Sequence, residues 1–176
     1  MRDEEREEAS VPIRVEPVGG VAVDETVGGA RRSCTAPEPP APLTRSSVIR
    51  YDGAGWDGVR ALAYKAPDGT FRGVTRRILA RSAEASFELR YFELDPDGHS
   101  TFERHEHVHV VVCHRGRGRV RLGATVHEVG FGDVVYVAPG EPHQFLNPYA
   151  EPFGFLCIVD RERDRPEPLE IDRADA

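Results

Sequence analysis

The stretch Glu103-Arg104-His105-Glu106-His107-Val108-His109 puts three imidazoles and two carboxylates into seven residues. On a β-strand, side chains alternate between faces, so Glu103, His105, His107 and His109 would all point one way. Each of these groups then needs solvent, a partner or a cation. A neutral imidazole is a common ligand for zinc, copper, iron and nickel, and a carboxylate adds charge that suits harder ions. The chemistry indicated is therefore metal binding. A polar strand face without a metal is the competing reading, because a histidine-rich run is a weak metal signal on composition alone.

Positioning these side chains needs strands, and the surrounding sequence is built like strands. Residues 73–80 and 87–94 are rich in β-branched, aromatic and alternating residues. Pro96-Asp97-Gly98 reads as a turn. Further strands are expected over 101–114, 117–122, 125–129, 134–137, 144–146 and 153–159. Gly116, Gly123, Gly130, Gly132, Pro139-Gly140 and Asn147-Pro148 separate them. Many short strands between regular turns predict an all-β sandwich or barrel. Residues 48–65 are ambiguous; Trp56, Val59, Leu62 and Ala63 would form one face of a short helix.

Downstream of the histidine run, Gly132-Asp133 opens a strand that ends at Pro139-Gly140-Glu141-Pro142-His143, with Asn147 four residues further on. In these two segments the sequence resembles the cupin superfamily, whose first motif carries a Gly, an H-x-H pair, a Glu and a closing Gly. Its second motif carries Gly, a strand, Pro near Gly, then His and Asn. The likeness spans about residues 87–160 and is nearest to small bacterial single-domain cupins. It implies a double-stranded β-helix, or jelly-roll, barrel holding one divalent transition metal.

Carried over residue by residue, the resemblance places Gly98 and Gly116 at the motif glycines. The ligands then fall on Glu103, His105, His109 and His143. The order Glu, His, His, His departs from the usual His, His, Glu, His. A second register, with His105, His107, His109 and His143 as ligands, stays open, since strand parity does not separate the two. In the first register His107 becomes a pocket residue able to hydrogen-bond a ligand. The metal would be Mn, Fe, Ni, Co, Cu or Zn. Val111, Cys113, Phe145, Phe155 and Cys157 would wall an apolar pocket for a small-molecule substrate.

Four protein ligands leave coordination positions open, as a catalytic metal requires. The resemblance implies a metal-dependent enzyme, dioxygenase-like, with Glu103 or His107 moving a proton. A non-oxidative isomerase or lyase, and a non-catalytic sensor or metal-binding module, are the alternatives. A homodimer through an outer strand is expected.

Composition sets the outer bounds. The 176 residues leave room for one domain, and the apolar content of 39% is low for a compact globule. The shortfall sits at the ends. Residues 1–45 and 161–176 read as flexible, 46–85 as strands or a short helix packed on the barrel, and 86–160 as the barrel. The net charge of −7 is spread evenly. No run is strongly basic, so neither nucleic acid nor a phosphate-binding footprint is expected. Arg115, Arg117, Arg119 and Arg121 read as a solvated strand face. His99, His114 and His127 read as surface, and Trp56 and Tyr136 as packing residues. Cys34, Cys113 and Cys157 are odd in number and far apart, so a disulfide framework is not suggested. The acidic opening MRDEEREE has no apolar core, so a signal peptide is not expected there, and no apolar run is of membrane-spanning length. A cytoplasmic protein is expected.

Overall fold

Runs of Val, Ile, Phe and Tyr broken by glycine and proline leave this chain little choice but strands joined by tight turns. The computed structural model describes residues 41–64 and 70–170. The disorder expected over 1–45, and Cys34, thus fall almost wholly outside the described residues. Among the described residues there are eleven strands: β1 (Leu62–Ala63), β2 (Arg72–Ala80), β3 (Phe87–His99), β4 (Glu103–Arg104), β5 (His109–Arg115), β6 (Arg117–Leu122), β7 (Thr125–Gly130), β8 (Val134–Val137), β9 (His143–Leu146), β10 (Phe153–Asp160) and β11 (Glu167–Pro168). No helix occurs among the described residues, so the short helix considered over 48–65 does not form there. Tyr51 and Trp56 instead bridge each other.

All pairings are antiparallel. One face runs β1-β2-β3-β10-β5-β8, and the other β7-β6-β9-β4-β11. The two meet where His99 of β3 pairs with Leu146 of β9. The sheet curls around a core that includes Leu94, Val111, Val120, Val137, Phe153 and Phe155. This is the all-β barrel that the strand and turn pattern predicts, in the jelly-roll form that the resemblance implies.

The turn expected at Pro96-Asp97-Gly98 does not end a strand. β3 runs through it to His99, and the pairing with β2 jumps from Val74↔Leu94 to Arg72↔His99. The residues between form a bulge, with Asp97 at φ 59°. A Cβ at Gly98 would lie 2.7 Å from the Asp95 carbonyl oxygen, so only glycine fits this fold-back. Gly116 has a similar duty between β5 and β6: its φ is +63°, and a Cβ would meet the Pro152 carbonyl oxygen at 2.3 Å.

Candidate metal centre

Three strands bring the candidate ligands together. Glu103 of β4 pairs directly with His143 of β9. His109 opens β5, flanked by Val137 of β8 and Val159 of β10. The loop leading to His143 is tied to the first segment by a hydrogen bond from the Gly140 N–H to the His105 carbonyl, 2.8 Å.

The strand expected over 101–114 is in fact two strands with a bend at Glu106 and His107. The backbone N–H groups of these two residues donate to the Asp164 carboxylate at 2.8 and 3.2 Å. Those N–H groups are thereby lost to any sheet ladder, and simple alternation fails at His107. Its ring stacks on His105, with centroids 3.6 Å apart, and its Nδ1 lies 2.5 Å from Asp164 Oδ1.

Two overlapping groups of donor atoms result. Glu103, His105 and His143 offer atoms within 4.8 Å of one another, as do His105, His107 and His109. Ring centroids of His105 and His143 are 4.8 Å apart, and those of His109 and His143 5.4 Å. His105 Nδ1 donates to the His107 carbonyl at 2.8 Å, and His143 Nδ1 to the Glu141 carbonyl at 2.9 Å. His109 Nδ1 sits 3.3 Å from the Cys157 sulfur. With Nδ1 held in each ring, the Nε2 lone pair is left for a cation, the arrangement that orients metal-binding imidazoles.

The donor set fits a divalent ion on a further observation. His105 Nε2 and His109 Nε2 are buried and have no hydrogen-bond partner, which is costly unless something else satisfies them. The rings are also poised as neutral ligands. Burial, then the neighbouring His107 and His143, push His105 down to about 4. Burial, then His105, push His109 down to about 2. Burial lowers His143 against the opposing hydrogen bond to Glu141.

Glu103, His109 and His143 open onto a pocket of about 50 Å³, lined by Phe92, Phe145, Phe155, Cys157, Tyr64 and Ser100 among others. Phe145, Phe155 and Cys157 wall it as the sequence suggests, whereas Val111 and Cys113 fill the core behind it. Burial raises the Cys157 thiol to about 12 and Cys113 to about 11. Tyr64 and Ser100 had no sequence signal, and neither did Asp164, which lies within a predicted flexible tail. In that tail β11 pairs with β4.

Other expectations are corrected. His114 is half-buried and not simply solvated; its ring packs against Tyr51 and Trp56 at 5.0 and 5.6 Å, and its Nε2 is buried. Tyr136 is 59% exposed on β8, because its side chain points away from the core that Val135 and Val137 enter. Of the arginine series, Arg119 pairs with Glu128 at the surface, while Arg121 is buried against the Phe102 ring.

A curled antiparallel barrel whose mouth gathers imidazoles and a carboxylate from two separate sequence motifs is a cupin-type barrel. The chain belongs to the cupin superfamily: residues 90–159 match the family model described as a cupin domain. It is 46% identical over 121 residues, 68% of its length and 78% of the relative's, to 1-methylthio-D-xylulose 5-phosphate methylsulfurylase of Rhodospirillum rubrum. Among solved structures it resembles a cupin-2 domain protein of Rhodospirillum rubrum, with 41% identity, TM-score 0.63, and coverage of 77% of this chain and 85% of that one. It also resembles a cupin 2 conserved barrel protein of Rhodopseudomonas palustris, with 40% identity, TM-score 0.67, and coverage of 73% and 89%.

Proposed function

We propose that this chain is a metal-dependent enzyme that binds one divalent transition-metal ion through Glu103, His105, His109 and His143 and acts, without dioxygen, beside the carbonyl of a small ketose. The observation that carries this reading is the pair of buried, partnerless Nε2 atoms of His105 and His109, together with the Glu103 and His143 donors that cluster with His105. The ion is one of Mn, Fe, Ni, Co, Cu or Zn. When bound, it would supply Lewis-acid polarisation of a carbonyl oxygen.

The chain's own residues do the rest. Aromatic walls of Phe92, Phe145 and Phe155 exclude water from the reacting end. His107, fixed by Asp164 through Nδ1, keeps its other ring nitrogen to hold or move a proton. Glu103 is the second proton-handling group, reaching the pocket from β4.

The name of the Rhodospirillum rubrum relative, which places a methylthio group next to the carbonyl of a ketose phosphate, favours non-oxidative chemistry over the dioxygenase chemistry that the sequence suggests. The test is to incubate metal-loaded protein with 1-methylthio-D-xylulose 5-phosphate in an oxygen electrode, with and without a small thiol. The expected outcome, only in the presence of the thiol, is transfer of the methylthio sulfur to that thiol as a mixed disulfide, with C–H replacing the broken C–S bond of the ketose and no oxygen uptake. Oxygen consumed in step with substrate would restore the dioxygenase reading, and no turnover of this or any related ketose would leave a binding module.

Two coarser properties belong to the same proposal. Val134 and Tyr136 expose apolar surface on β8, an end strand of its sheet, which suits the pairing of two copies in a homodimer. The buried free thiols of Cys113 and Cys157 suit a reducing cytoplasm.

A further inference from the structure

The inner face of the barrel carries arginines that the metal chemistry leaves without a task. On β2, Val74 lines the pocket, and by alternation Arg76 points the same way. On β3, Phe92 lines it, and Glu88 and Arg90 share its face. Arg90 stands in register with the pocket residue Cys157 and is only 7% exposed.

One carboxylate serves most of this group. Glu88 takes Arg90 at 2.6 Å, Arg163 at 3.2 Å and Arg81 at 3.3 Å. Arg76 makes no salt bridge to it, although the Glu88 charge acts on its guanidinium from further away. Its guanidinium lies 5.0 Å over the ring of Tyr64, which itself lines the pocket, and its Nε is buried without a hydrogen-bond partner. The cations oppose one another: burial and then Arg90 lower the proton affinity of both Arg76 and Arg163. Arg90 and Arg76, with the more exposed Arg163 and Arg81, surround a single carboxylate, and the positive charge that Glu88 does not offset would be relieved by an anion. Planar guanidinium forks match phosphate oxygens in pairs.

We propose that Arg76, Arg90 and Arg163 form the seat of a phosphate group, so that the substrate of the metal site is a phosphate monoester. This rests on the reading of the site given above, since it assigns the other end of the same substrate. β5 and β3 are separated by β10 alone, and Arg90 sits two residues along from Glu88, which is level with His109, so the backbones of His109 and Arg90 lie about 12 Å apart at the usual strand spacing and rise. A short phosphorylated sugar spans that gap once the arginine side chains reach inward. Composition could not reveal such a seat: the three arginines are 14 and 73 positions apart along the chain, and only the sheet register unites them.

The experiment is calorimetric titration of the metal-loaded full chain with D-xylulose 5-phosphate, D-xylulose and inorganic phosphate, alongside metal analysis. The wild type should bind the ester at least about tenfold more tightly than the free sugar, with inorganic phosphate competing. Arg76→Gln removes a group that makes no salt bridge to Glu88 and gives up its contact with the Tyr64 ring. It should weaken ester binding at least about tenfold while leaving metal content and D-xylulose binding unchanged. Arg76→Lys keeps the charge without the fork; it should fall in between and serves if the glutamine variant does not fold. Equal binding of ester and free sugar by the wild type, or an Arg76→Gln affinity within about twofold of it, overturns the phosphate seat. A protein that binds phosphate at Arg76 yet takes up no metal would keep this seat and remove the metal reading instead.

Discussion

A His143→Ala protein is expected to lose its metal: content should fall from about one ion per chain to under about a tenth after dialysis, with affinity down by about 100-fold or more. Altering a residue that merely orients a ligand costs about 10- to 100-fold, so removing a ligand should reach at least the upper end. His143 is the sharpest choice because it is the candidate ligand supplied by the second motif. It is 3% exposed, its ring is held by the Glu141 carbonyl, and β9 delivers it opposite Glu103. Elemental analysis checks the outcome, with His127→Ala on exposed β7 as a control that should keep full metal. The same measurement separates the two ligand registers. His107→Ala should retain the metal if Glu103 is the fourth ligand, and Glu103→Gln should retain it if His107 is. A His143→Ala protein with undiminished metal would end the proposal.

Local pattern carried much of this fold. β8 falls on the expected residues 134–137 and β6 on 117–122, because Gly132 and Gly140 bound the first run and Gly116 and Gly123 the second. What failed were features decided by distant partners. The bend at Glu106 and His107 depends on a carboxylate 57 and 58 residues downstream, and nothing near residue 106 announces it. Pro96-Asp97-Gly98 has turn chemistry, yet the pairing of β2 with β3 turns it into a bulge. His114 looked like a turn residue, but Tyr51 and Trp56 fold over it from a segment whose structure the pattern left ambiguous. At the candidate site, residue types and spacing marked Glu103, His105, His107, His109 and His143. Tyr64, Ser100 and Asp164 could be found only once the sheet had closed.

The largest expected loss of stability is at Glu88. Replacing it with glutamine should destabilise the fold by about 3–5 kcal/mol, the range for removing one partner of a buried ion pair. The carboxylate is 4% exposed, and among the described residues it is the salt-bridge partner of Arg90, which is nearly as deep. An amide of the same shape supplies one acceptor and turns N–H donors toward guanidinium groups that also only donate. Acid should mimic the substitution in the wild type. Burial by itself would raise the Glu88 carboxyl, but Arg90, Arg163 and Arg81 outweigh it and hold the group below its usual 4.5. A carboxyl lowered in the folded state contributes stability above the unfolded value and loses it as pH falls through the folded one. The wild-type denaturation midpoint should therefore drop below about pH 4.5, while the Glu88→Gln midpoint, already low, should fall less over the same interval. Chemical denaturation of both proteins at pH 7 and pH 4 measures this directly. Parallel curves displaced by under about 1 kcal/mol would mean that solvent reaches the arginines and neutralises the cluster without Glu88.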